Sequence, residues 1–66
     1  MRLEVKYRLF HRVGERYVPE PHDSYSIIDV EEVEDETEMH SRIKKELSRE
    51  IGRPSSDFKI LGYSEL

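Results

Sequence analysis

The chain contains no cysteine. No disulfide can cross-link it and no thiolate can hold a metal ion, an absence that fits a reducing compartment. It also lacks any run approaching the roughly 18–20 apolar residues that span a bilayer. The residues after Met1 alternate like a strand and do not form the apolar core of a signal peptide. A soluble, cytoplasmic protein is the expectation. Glycine is scarce, and Gly14, Gly52 and Gly62 form neither a phosphate-binding loop nor a dinucleotide pattern. The serines stand in no nucleophile-elbow pattern. His11, His22 and His40 are isolated from one another. His22 and Asp23 are paired only by adjacency in a proline-containing loop, where a solvated histidine is expected. HExxH and EF-hand patterns are missing. The acidic residues could attract divalent cations weakly, but a specific site needs converging ligands. No catalytic residue, metal or cofactor is implied, and the chain reads as non-enzymatic.

What remains is small, charged and patterned. Sixty-six residues make one domain. Such a chain buries only about 60% of its unfolded surface, and its core supplies roughly 3–5 kcal/mol. Self-association or a bound partner is a reasonable source of further buried area. The net charge of −4 conceals a segregation. Residues 1–19 carry five Lys or Arg against two acids, residues 20–38 carry nine acids and no Lys or Arg, and residues 39–66 carry six bases against four acids.

One helix is specified locally. Asp35 suits the N-cap, with Glu38 three residues on in a capping-box pattern. Glu36 and Glu38 lie at the positive end of the helix dipole, and Lys44, Lys45 and Arg49 lie toward the negative end. Met39, Ile43, Leu47 and Ile51 make one narrow apolar stripe. Glu38 and Arg42 have the favourable i,i+4 order. Gly52 and Pro54 end the segment, so a helix is predicted over 36–51.

Around it the chain reads as strands. Leu3, Val5, Tyr7 and Leu9 alternate with Arg2, Glu4, Lys6 and Arg8, which predicts a half-buried strand. The alternation slips after Leu9, where a bulge or the end of burial is expected. Gly14 turns a hairpin into a second short strand, and Pro19 and Pro21 break the ladder. Residues 25–30 resume strand character, with Ile27 and Ile28 adjacent, and FKILGY supplies the last strand. The predicted fold is a two-layer α+β domain of order β-β-(β)-α-β. Its small three- or four-stranded, mostly antiparallel sheet has strands near 2–12, 16–18, 25–30 and 58–63. The helix covers one face, and a helical crossover allows the last strand to lie parallel to a neighbour.

Two surfaces are candidates for binding. The acidic run offers Asp29, Glu31, Glu32 and Glu34, beyond the acids that capping explains, as an anionic patch for a basic protein partner. In this reading the chain is an adaptor or inhibitor, in form a small accessory or phage-type protein. The alternative is single-stranded nucleic-acid binding on the outer sheet face by Lys6, Arg8, Phe10 and Arg12, through phosphate contacts and base stacking. The plainer account of those bases is cross-strand pairing with Asp29 and Glu31. If Phe10, Ile28, Leu61 and Tyr63 project from the uncovered face, the exposed apolar patch favours a homodimer.

Overall fold

Strand β1, Arg2–Val13, is the axis around which the rest is placed. In the computed structural model, which describes residues 1–66, it is followed by β2 (Arg16–Pro19), β3 (Ser24–Asp29), α1 (Glu36–Ile51) and β4 (Phe58–Glu65). A single 3₁₀ turn, Ser55–Asp57, leads into β4. The strand alternation is realised: Leu3, Val5 and Tyr7 are buried while Arg2, Glu4 and Lys6 are exposed. Past Leu9 no bulge forms between β1 and β2. Burial ends there, and residues 11–17 of the hairpin stand exposed.

All three partner strands run antiparallel to β1. β3 pairs residues 2–7 and β4 pairs residues 3–9, so these two flank β1 on opposite sides. Met1 and Val30 exchange backbone bonds of 2.8 and 2.9 Å. The odd residues at this end of β1 therefore bond toward β3. Leu9 continues that series, its carbonyl accepting from the Glu20 N–H at 2.8 Å. β2 and β3 are thus successive stretches along one flank of β1, interrupted by the segment containing Pro21. The crossover helix does join two strands of the same direction, β3 and β4, but β1 lies between them. β4 therefore has no parallel neighbour.

The helix occupies its predicted span. The Asp35 carboxylate accepts from the Glu38 N–H at 3.0 Å, and Arg42 donates to Glu38 at 3.1 Å. At the other end Gly52 adopts φ 68°, a left-handed conformation that glycine takes without Cβ strain, and its N–H bonds the Ser48 carbonyl. Met39, Ile43 and Leu47 are buried and Ile51 is half-buried. They meet Leu3, Val5, Tyr7, Ile28, Val30 and Phe58 in a single core. Tyr7 and Phe58 pack edge to face with ring centroids 6.2 Å apart, and the Tyr7 hydroxyl shares a 2.9 Å hydrogen bond with Ser26 Oγ. Where the helix ends, Arg53 donates to the Phe10 carbonyl at 3.1 Å and to Asp57 at 3.3 Å, fastening the turn to β1.

Two side chains face the opposite way from expectation. Ile28 pairs Leu3 and is 4% exposed in the core, whereas Ile27 pairs the outward Glu4 and is 45% exposed. A pleated strand cannot send both to one side. Tyr63 belongs to the helix side because β4 is bulged. The register passes from Tyr7↔Ile60 to Lys6↔Gly62, leaving Leu61 as the extra residue. One extra residue inverts every later side chain. Leu61 and Phe10 keep surface positions, Leu61 exposed and Phe10 half-buried.

The molecule measures 39 × 19 × 18 Å. The long dimension is that of β1 itself, twelve residues at about 3.3 Å each. No helix is long and apolar enough to cross a membrane.

Candidate functional site

The acidic lead-in to α1 is irregular in backbone but firmly attached. Val30 is bonded to Met1 through both backbone groups and is 6% exposed. Val33, three residues on, is half-buried against the core. Between and after these anchors Glu31, Glu32 and Glu34 are left on the surface, as is Asp29 before them. Of the two valines, the sequence reading includes Val30 only as the end of the strand over 25–30 and leaves Val33 unassigned. Their i,i+3 spacing within an otherwise acidic run was the available signal.

The four acids do not form one cluster. Asp29 and Glu31 lie together on one side of the helix start, in a shallow groove of about 560 Å³ with Glu38, Arg42, Glu46 and Arg49. Arg42, Lys45 and Arg49 bring positive charge to it, and of these Arg42 alone pairs with an acid of the lead-in. Arg42 takes Glu38 at 3.1 Å and Glu31 at 3.6 Å on its two terminal nitrogens, and its Nε is buried without a partner. Glu32 turns to the other side, onto a groove of about 250 Å³ with an apolar floor of Leu3, Val33 and Met39, walled by Met1 and Tyr63 and edged by Glu65. Glu34 lines neither groove. Asp29, Glu32 and Glu34 make no ion pair.

The cross-strand pairing expected between the basic first strand and Asp29 or Glu31 is not formed. Asp29 stands opposite Arg2 in the ladder without bonding it, and Glu31 lies past the end of β3, where it reaches Arg42. The partner of the basic face is Asp23, immediately before β3. Arg8 Nε donates to Asp23 Oδ1 at 3.0 Å and its Nη2 donates to the same oxygen, while Lys6 Nζ lies 3.4 Å from Oδ2. The hydrogen bond from Arg8 holds the Asp23 carboxyl below its ordinary value. Partial desolvation opposes this, and the charges of Arg8 and Lys6 add to the lowering.

The alternative site follows the same outer face. Lys6 and Arg8 are committed to Asp23, Phe10 is half-buried, and Arg12 donates to the Gly14 carbonyl at 3.1 Å in the hairpin turn. The antiparallel register adds Tyr25 opposite Lys6, Lys59 opposite Arg8 and Tyr17 opposite Arg12. These additions follow from strand pairing, which local patterning does not reveal. No three His, Asp or Glu side chains converge as a metal-ligand set. No family model, curated protein or solved structure matches the chain.

Proposed function

We propose that this chain is a non-enzymatic cytoplasmic interaction module, of adaptor or inhibitor type, that presents its acidic end to a basic protein partner. One observation carries the reading. The segment 29–34 is pinned at Val30 and Val33 while its acids stay exposed, with Arg42 as the only cation paired to any of them. A pre-positioned anionic surface loses little side-chain and loop freedom on association and attracts a basic partner over a Debye length. The apolar groove beside Glu32 and Glu65 offers an anchor point within the same surface. The nucleic-acid reading is weaker because Asp23 already neutralises part of the positive charge of Lys6 and Arg8. Affinity capture with the parent chain and with a Glu32→Lys, Glu34→Lys variant tests the proposal. The variant should retain its far-UV circular dichroism and lose a salt-sensitive basic partner. Equal recovery of the same partner by both chains would remove the acidic end from consideration.

A further inference from the structure

The sheet has two outer flanks, and they differ. On β4 the bulge at Leu61 distorts the free edge, a device that discourages strand addition. On the other flank β2 carries Pro19, whereas β3 is a regular six-residue strand without proline or bulge. The even residues of β3 bond to β1, so the N–H and C=O groups of Tyr25, Ile27 and Asp29 point away from the sheet. None of these groups has a hydrogen-bond partner outside the ladders. Beside them the exposed side chains of Tyr25 and Ile27 are 58% and 45% accessible, and the strand itself carries no Lys or Arg.

We propose that this edge pairs with the same edge of a second copy, antiparallel, with Ile27 on the two-fold axis. The register is self-complementary. Tyr25 faces Asp29 of the other copy, Ile27 faces Ile27, and Asp29 faces Tyr25. All three are pairs whose backbone groups point at each other, so about six ladder bonds form. The two Ile27 side chains meet on the outer face, and each Tyr25 ring lies across from an Asp29 carboxylate that can accept from its hydroxyl. On the helix side Glu46, Arg49 and Glu50 flank Ile27. A second copy suits this edge because its register sets Tyr25 opposite Asp29 and Ile27 opposite Ile27. The inference does not depend on the acidic end, which lies outside the paired strand apart from Asp29.

Sedimentation velocity over a roughly hundredfold range of protein concentration tests it. The parent chain should pass from monomer to dimer. Ile27→Lys, at an exposed position, should weaken the dimer by about tenfold or more, because it sets two like charges on the axis. Mixing that variant with Ile27→Glu should restore the dimer. Amide exchange on the parent chain gives a second reading, with protection of Tyr25, Ile27 and Asp29 rising with concentration. A parent chain monomeric throughout, a dimer indifferent to Ile27→Lys, or exchange at these amides independent of concentration would each overturn the proposal.

Discussion

The Asp23 carboxylate receives Arg8 on one oxygen and Lys6 on the other, and so ties the segment before β3 to the middle of β1. Its lowered pKa makes this contact pH-dependent. A carboxyl whose folded-state value is depressed contributes stability that is complete above the ordinary aspartate value of 3.8. That contribution is lost as pH falls through the lower folded value. Asp23→Asn should therefore reduce the melting temperature at neutral pH, and the gap between variant and parent should close in strong acid. Partial exposure of the pair makes the effect smaller in high salt. Thermal unfolding in a pH series at two salt concentrations measures both dependences. A gap that stays constant into acid would show that the ion contacts of Asp23 do not support the fold. The same residue shows where local reading stops. His22-Asp23 looks like a solvated loop pair in the chain, and His22 is indeed exposed. The distinction of Asp23 comes from facing Arg8 across the sheet, fifteen residues away.

At the scale of elements, α1 was the most legible part. Its cap, stripe and terminal glycine are chemistry within a few residues, and the predicted and observed spans agree at both ends. Ile43 and Leu47 are completely buried from this stripe. Truncating Ile43 to Ala should cost about 2–5 kcal/mol, comparable with the roughly 3–5 kcal/mol that a core of this size supplies. The variant is expected to unfold at little or no urea, followed by far-UV circular dichroism. A midpoint near that of the parent chain would mean that α1 is not essential to the core. β4 was legible as a strand but not as a surface. Its apolar residues at 58, 60, 61 and 63 admit two facings beyond Ile60, and the bulge chooses between them. Between the strand end and the cap the acidic lead-in reads in the sequence as charge, although Val30 and Val33 are what attach it.

The whole molecule is a long central strand with its mass at one end. Residues of β1 up to Leu9 are covered by the helix or flanked by β4, while the β1–β2 hairpin from 11 to 17 extends past the core with every residue exposed. Stability should follow that division. Amide exchange is expected to be slowest at Val5, Ile43 and Leu47. It should be faster at His11, Val13, Arg16 and Val18 although these residues pair in a regular ladder. Equal protection in hairpin and core would show that the hairpin is covered in solution. Charge is divided along the same axis. The acids of 29–38 gather where α1 begins, whereas the distant hairpin carries Arg12 and Arg16 against the single acid Glu15. The molecule is therefore polar end to end, a property that orients approach to a charged partner.

By itself the sequence determined the one-helix α+β composition, the bounds of α1, the alternating face of β1 and the segregation of acids from bases. These follow from capping, periodicity and local charge, which act over a few residues. Tertiary structure decided that β1 is central, that β4 lies antiparallel beside it, that Ile28 is inside and Ile27 outside, and that Asp23 is the acid on the basic face. Each of these depends on strand register, and register is settled by which distant residues share one core. The acidic run shows both contributions at once. Its charge is written in the chain, but its division into two sides around the start of α1 depends on where Val30 and Val33 are buried.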